Sequence, residues 1–157
     1  MSTQASIATV TTTRTIAPPS ARNLPVGNEE FSSEYAVSAQ EAWTRVQAEE
    51  ALLVDVRSAE ELKVDGTIPG AQHVAWLIGP ALLKNVRFIR ELEKKTGNKQ
   101  QAVILICRSG VRSFAALEAA KKAGFADVSY VPSGIEGKDG HPDGWRRAGL
   151  PMVNVSA

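Results

Sequence analysis

The chain's one cysteine stands beside two arginines, and this short segment is its best candidate for chemistry. Residues 107–113 read Cys-Arg-Ser-Gly-Val-Arg-Ser, directly after an unbroken apolar run over residues 102–106 and before a helical pattern. Cysteine reacts as the thiolate, a form that a helix N-terminus and cationic neighbours favour. A free cysteine is otherwise often a buried, inert core residue. Because several activating features coincide here, we predict that Cys107 is a nucleophile.

The residues that follow the cysteine favour an anionic ligand. Gly110 permits the loop to curl so that successive N–H groups point inward, and the next helix adds the positive end of its dipole. Arg108 and Arg112 add positive charge nearby, so we expect this loop to hold an anionic substrate against the thiolate. The chemistry indicated is thiolate attack on an oxyanion or a sulfur oxyanion through a covalent intermediate, which needs no metal or cofactor.

Short apolar runs alternate with helical patterns from Phe31 onward, which indicates an α/β fold. The run over residues 102–106 is apolar on both faces, as expected of a central strand in a parallel sheet. Ligands of such sheets bind outside the carboxyl ends of strands, where Cys107 stands. Further strands are predicted near residues 52–56, 73–75 and 128–131, and helices near 38–49, 58–66 and 111–123. Capping boxes that begin at Ser38 and Ser58 predict the start of the first two of these helices.

A further helix is predicted before the central strand, ending at Gly97. Charged residues occupy its other faces, and one face is apolar: Leu82, Leu83, Val86, Ile89 and Leu92. We therefore expect these five side chains to be buried against the sheet.

The bulk composition limits the partners. Eighteen basic and seventeen acidic residues give a net charge of +1, so no electrostatic argument favours nucleic acid or an anionic membrane. No apolar stretch is long enough to span a bilayer. A single cysteine excludes an internal disulfide framework and a multi-cysteine metal site. We expect a monomer in the cytoplasm.

The first 30 residues differ from the rest of the chain. They are rich in Ser, Thr and Pro and contain no acid before Glu29. Such a segment buries too little apolar surface to offset its ordering entropy, so we predict a mobile tail over residues 1–30. An organelle transit peptide is the alternative. Residues 31–157 are predicted to form one domain.

Four motifs in order resemble the rhodanese homology domain, over roughly residues 34–152. Residues 107–113 resemble the active-site loop of its single-domain members. Leu53–Arg57, followed by Glu60 and Glu61, is similar to the family's first signature. Gly66–Ala71 resembles the Gly-His-Ile-Pro-Gly-Ala element, with Thr67 in place of the histidine. Gly144-Trp145 and residues 148–151 are similar to the usual ending.

The resemblance implies a parallel five-stranded sheet with helices on both faces, and it implies sulfur transfer. The Cys107 thiolate would take the outer sulfur of thiosulfate or a similar small anionic donor, release sulfite and become a persulfide. Cyanide, a thiol or a protein would then accept that sulfur. The substrate would be bound by Arg108, Ser109, Gly110, Val111 and Arg112, whose N–H groups would stabilise the persulfide and whose two guanidinium groups would attract the donor. Asp55 and Arg57 would organise the site, with Asp55 or a nearby acid pairing with Arg112.

Two other functions remain open. Phosphatases and arsenate reductases of the same fold place five residues between cysteine and arginine, whereas four separate Cys107 from Arg112, which favours sulfur transfer. A non-enzymatic sulfur-relay or interaction module is the second alternative, because a fold and a motif do not name a substrate. His73 and His141 are interpreted as turn residues. Residues 138–143 are predicted to form a loop.

Overall fold

A four-stranded parallel sheet carries the residues singled out above. A computed structural model describes residues 33–137 and 143–154. Contacts divide the chain into Met1–Glu34 and Tyr35–Ala157, and the helices and strands named below belong to the second unit. The tail predicted over residues 1–30, and most of the loop predicted at 138–143, lie outside the described residues. The domain boundary at residue 31 stays a prediction.

Helices and strands follow one another along the chain as expected of an α/β fold, except that three short strands stand in succession before the third helix. After a 3-10 turn at Ser33–Tyr35, the helices are α1 (Ala39–Gln47), α2 (Ala59–Asp65), α3 (Phe88–Thr96) and α4 (Val111–Lys122). The strands are β1 (Leu52–Asp55), β2 (Gln72–His73), β3 (Leu77–Ile78), β4 (Leu83–Lys84), β5 (Val103–Ile106) and β6 (Val128–Tyr130). The parallel sheet has the order β2-β1-β5-β6, and β3 and β4 form a separate antiparallel pair.

The central strand β5 is buried on both faces, as its apolar run predicts. On one face Ile104 and Ile106 join a core cluster with Leu53 of β1 and with Ala39 and Ala42 of α1. Successive side chains of a strand point to opposite faces, so the buried Val103 and Leu105 face the other way. Helix α4 contacts both β5 and β6. The α/β fold class is confirmed.

The prediction of a five-stranded sheet is wrong for the described residues, in which the sheet has four strands. Beside β6, the fifth position is reduced to one parallel bridge between Ala36 and Tyr130. The Val37 N–H donates to the Tyr130 carbonyl over 2.9 Å. Ser38 then caps α1, its hydroxyl accepting from the Glu41 N–H at 3.0 Å. The chain therefore turns into a helix before a longer ladder can form.

The helix expected to bury Leu82 is also wrong in its first half. Helix α3 begins only at Phe88, while Leu82 adopts a left-handed backbone (φ 55°) and Val86 is 89% exposed. The cause is the buried Asn85, whose side-chain amide donates to the Ala75 carbonyl at 2.9 Å. Its Oδ1 accepts from the Arg87 N–H at 3.0 Å, forming a local turn that competes with helix.

Candidate active site

The carboxyl end of β5 places Cys107 at the edge of the sheet where ligands of α/β proteins bind. The strand is anchored to its neighbour, because the Val56 N–H donates to the Ile106 carbonyl at 2.9 Å. Cys107 is 1% exposed. It therefore lies at the base of the loop, and the loop residues above it control which atoms can reach the sulfur.

Two backbone N–H groups converge on the sulfur of Cys107. The Gly110 N–H donates to Sγ at 3.1 Å and the Ser113 N–H at 3.3 Å. Gly110 has a left-handed backbone (φ 93°), which residues with a Cβ rarely adopt, and this conformation turns its N–H inward. Ser113 lies in the first turn of α4, where N–H groups have no partner within the helix. These donors favour a negative charge on sulfur.

The Ser113 hydroxyl is the third polar group at the sulfur. It lies 3.4 Å from Sγ, close enough to accept from the thiol, and itself donates to the Gly110 carbonyl at 3.2 Å. Ser113 is fully buried. It stood outside the predicted binding residues, and its position in the first turn of the helix was the signal that could have identified it.

A turn after β6 holds the carbonyl groups of the cysteine loop away from the sulfur. The Ile135 N–H donates to the Cys107 carbonyl at 2.9 Å, and the Glu136 N–H donates to the Arg108 carbonyl at 2.8 Å. Gly134 permits this close approach: a Cβ there would lie 2.7 Å from the Cys107 oxygen and in contact with the Arg108 carbonyl. With its carbonyls bound on this side, the loop presents N–H groups to Sγ. Sequence reasoning missed Gly134.

The C-terminal segment supports that turn. The Trp145 N–H donates to the Gly134 carbonyl at 2.8 Å, and the indole Nε1 donates to the Pro151 carbonyl at 2.9 Å. The indole is fully buried and lies edge-on to Trp43, with ring centroids 5.6 Å apart. Trp145 thus supports the site indirectly, because it holds Gly134, which in turn lies against the cysteine loop.

Arg112 forms a bidentate ion pair with Glu61, a residue 51 positions away in sequence. Its two terminal nitrogens lie 2.6 and 2.9 Å from the two carboxylate oxygens. The hydrogen bond from Arg112 holds the pKa of Glu61 at about 2, although partial burial acts in the opposite direction. The same hydrogen bond raises the pKa of Arg112. The acid that pairs with Arg112 is therefore Glu61 and not Asp55.

Glu61 is held in place by the N-terminus of α2. Its Oε1 accepts from the Ser58 N–H at 3.0 Å and from the Ser58 hydroxyl at 3.1 Å, while the Ser58 hydroxyl accepts from the Glu61 N–H. This reciprocal capping box is one that the sequence predicts. One carboxylate thus caps a helix and binds the cysteine loop, a second role that its local sequence does not reveal.

Asp55 and Arg57 pair with each other beneath the site. The Arg57 Nε lies 3.0 and 3.1 Å from the two Asp55 oxygens, and Nη2 lies 2.8 Å from one of them and 2.9 Å from the Gly66 carbonyl. Both side chains are almost fully buried. The interpretation of His73 as a turn residue is wrong, because it lies in β2, where its ring is 2.7 Å from the Arg57 carbonyl. This pair links the end of β1 to the end of α2 and to β2.

The remaining predicted binding residues lie at the surface of the loop. Arg108 and Val111 are exposed, and Ser109 is half-buried. Arg108 forms no ion pair within residues 33–137 and 143–154. Over those same ranges no group of three or more His, Cys, Asp or Glu side chains could hold a metal ion. Nor is any helix there long and apolar enough to cross a membrane.

Fold and site together define an α/β protein whose thiol lies in an N–H-lined loop at the carboxyl end of a central strand. The family described as "Rhodanese-like domain" matches residues 38–138, and the chain belongs to it. The resemblance seen in the sequence is thereby confirmed. Thr67, which departs from the family element, bridges Val153 in an antiparallel pair.

Relatives agree with this assignment. "Thiosulfate sulfurtransferase GlpE" of Actinobacillus succinogenes is 31% identical, over 74% of this chain and 87% of its own length. "Sulfurtransferase" of Allochromatium vinosum is 30% identical, over 67% and 80%. The crystal structure of Rv0390 from M. tuberculosis has a TM-score of 0.64 and 30% identity, covering 76% of this chain and 96% of that one. These similarities support sulfur transfer as the general kind of activity.

Proposed function

We propose that this protein transfers a sulfane sulfur from thiosulfate or a similar donor to a thiol or cyanide, through a persulfide on Cys107. The observation that carries the proposal is the set of donors around Sγ, where the N–H groups of Gly110 and Ser113 lie within 3.3 Å. The same environment suits a thiolate and a persulfide anion, so the loop can stabilise both states of the carrier.

The transfer consists of two displacements at sulfur. In the first, the Cys107 thiolate attacks the outer sulfur of the donor and forms a new S–S bond. The bond between the two sulfur atoms of thiosulfate breaks, and sulfite leaves with its electron pair. In the second, the acceptor attacks the terminal sulfur of the persulfide, and the Cys107 thiolate leaves with the electron pair. No oxidant or reductant is consumed, and the enzyme returns to its starting state.

The loop residues divide between binding and positioning. Arg108 is exposed and without an ion pair in the described chain, so it is the cation best placed to attract an anionic donor. Ser109, Gly110 and Val111 supply the backbone over which the donor would lie, and Arg112 stands at its edge with its charge paired to Glu61. Asp55 and Arg57, bound to each other and buried, organise the end of the neighbouring strand.

The donor and acceptor are proposed from chemistry and from relatives. Thiosulfate is supported by the name of the Actinobacillus succinogenes relative. Cys107 is almost fully buried, so an acceptor must bring a small or protruding thiol to the loop. A protein whose cysteine lies on an exposed loop meets that requirement, as does cyanide or a small thiol.

The test is the intact mass of the reduced protein after incubation with thiosulfate. We expect a gain of one sulfur atom that cyanide removes and that Cys107→Ser abolishes. Because the chain has one cysteine, the variant assigns the added sulfur without ambiguity. Circular dichroism of the variant provides the control for folding. Turnover that persists in a folded Cys107→Ser protein would refute the persulfide mechanism.

A further inference from the structure

The ion pair between Arg112 and Glu61 changes the charge that the site offers to a donor. Both terminal nitrogens of Arg112 are bound to the two carboxylate oxygens, at 2.6 and 2.9 Å. We propose that Glu61 is a specificity-determining residue that adapts the site to monoanionic sulfane-sulfur donors, of the organic thiosulfonate class, in preference to the thiosulfate dianion. This inference rests on the proposed sulfur transfer and names its donor class.

Charge in the site follows from which arginine is paired. Within residues 107–113 the two cations are Arg108 and Arg112. Glu61 compensates the charge of Arg112, and both side chains are only about one-fifth exposed, so solvent screens the pair little. Arg108 is exposed, where its attraction for a ligand is weakened by water and salt. The loop thus retains one screened cation, together with its N–H dipoles, to balance a donor.

The pair is built into the protein before any donor arrives. Ser58 binds the same Glu61 oxygen through its N–H and its hydroxyl, at 3.0 and 3.1 Å. With its pKa at about 2, Glu61 is ionised throughout the physiological range. For Arg112 to turn towards a donor, it would have to leave a half-buried carboxylate without its partner, which is costly. Within residues 107–113, Arg108 is then the only guanidinium without an ion pair, and no second one is left to receive another negative charge on the donor.

A thiosulfonate has the same reacting atoms as thiosulfate with one negative charge fewer. The Cys107 thiolate attacks its outer sulfur, the S–S bond breaks, and a sulfinate leaves with the electron pair in place of sulfite. The persulfide formed is the same. The two donors therefore differ at this step mainly in their leaving group and their charge. Changing the charge of Glu61 alters the second difference and leaves the first unchanged.

The experiment compares thiosulfate with methanethiosulfonate as donors, with cyanide as the common acceptor. The quantity measured is the ratio of kcat/KM for thiosulfate to that for methanethiosulfonate, which cancels general losses of activity. In Glu61→Gln the guanidinium becomes uncompensated, so we expect this ratio to rise about tenfold. Glutamine at this position keeps the capping box. The matched control is Glu60→Gln, an exposed acid in the same turn, for which the ratio should change less than twofold. A ratio that stays constant or falls in Glu61→Gln would overturn the proposal.

The double variant Glu61→Gln/Arg112→Gln is the second test. It removes both charges of the pair, so it leaves none unpaired, and it can replace Glu61→Gln if that variant folds poorly. If the pair acts as a neutral unit, removing both charges should keep the ratio within about threefold of wild type. A tenfold fall would show instead that Arg112 attracts the dianion despite Glu61. Loading of Cys107 by both donors with no effect of Glu61 contradicts only this inference. Loading by neither donor contradicts the proposed sulfur transfer as well.

Discussion

Replacing Gly134 with alanine tests how firmly the turn after β6 holds the cysteine loop. The added Cβ would lie 2.7 Å from the Cys107 oxygen and in contact with the Arg108 carbonyl, and both are backbone atoms that move only with the loop. Relief of this overlap separates the turn from the loop. The hydrogen bonds of the Ile135 and Glu136 N–H groups, at 2.9 and 2.8 Å, are then weakened or lost.

The expected loss of stability combines two effects. Alanine in a left-handed backbone costs about 1–2 kcal/mol. Two weakened hydrogen bonds cost about 1 kcal/mol each. Gly134→Ala should therefore lower the free energy of unfolding by about 3–4 kcal/mol, the sum of these principle-based estimates. The matched control is Gly97→Ala, since Gly97 is also left-handed (φ 85°) but has open space around its Cβ. It should lose about 1–2 kcal/mol, the cost of the left-handed backbone alone.

Urea unfolding at neutral pH measures both variants. Loading of sulfur from thiosulfate, followed by intact mass under folding conditions, reports the effect on the loop. We expect folded Gly134→Ala to load sulfur at least tenfold more slowly than Gly97→Ala, because carbonyls released from the turn are free to rotate towards Sγ. Equal stability and equal loading in the two variants would refute the reasoning that the turn positions the loop.

Two further predictions concern stability. Because Arg112 lowers the pKa of Glu61 from 4.5 to about 2, the ionised carboxylate stabilises the folded state above the unfolded pKa and this contribution is lost on acidification. The difference in unfolding free energy between wild type and Glu61→Gln should be constant above about pH 5 and fall by about 1–3 kcal/mol towards pH 2, and a flat difference in acid titrations of stability would contradict the pair. Val86 is 89% exposed and Leu92 fully buried, so in urea unfolding Val86→Lys should change stability by less than about 0.5 kcal/mol. Leu92→Ala should lower the free energy of unfolding by about 2–5 kcal/mol. Similar losses of stability in the two variants would indicate the longer helix that the sequence pattern predicts.

The sequence predicted well wherever a local pattern meets no competing contact. The apolar run that forms β5, the serine that caps α2 and the glycine that ends α3 were all predicted, and each depends on neighbours within a few residues. The prediction of a helix from Leu82 was wrong. The helical spacing of apolar residues extends through a segment that is not helical, because the Asn85 amide there donates to the Ala75 carbonyl. This hydrogen bond joins residues ten positions apart, and the spacing of apolar residues gives no information about such a contact.

The position of the thiol was determined by the sequence itself. A strand apolar on both faces must lie inside the sheet, and the residue after it then stands at the carboxyl edge, so the sequence alone predicts the place of Cys107. Gly110 and the start of α4 likewise made an N–H-lined loop the expected outcome. The approach of Ser113 to the sulfur follows from the same helix turn, although the sequence did not single it out.

Only the tertiary structure decided how the charges of the site are paired. The sequence predicted that Asp55 or a nearby acid pairs with Arg112, but Asp55 forms a buried ion pair with Arg57 at the end of β1. Glu61 reaches Arg112 because α2 and the cysteine loop come together across 51 residues, a distance that no local pattern encodes. The turn at Gly134 is fixed in the same way, through backbone contact with the cysteine loop. The composition of the loop thus defines a thiol site, whereas long-range packing sets the charge that a donor meets there.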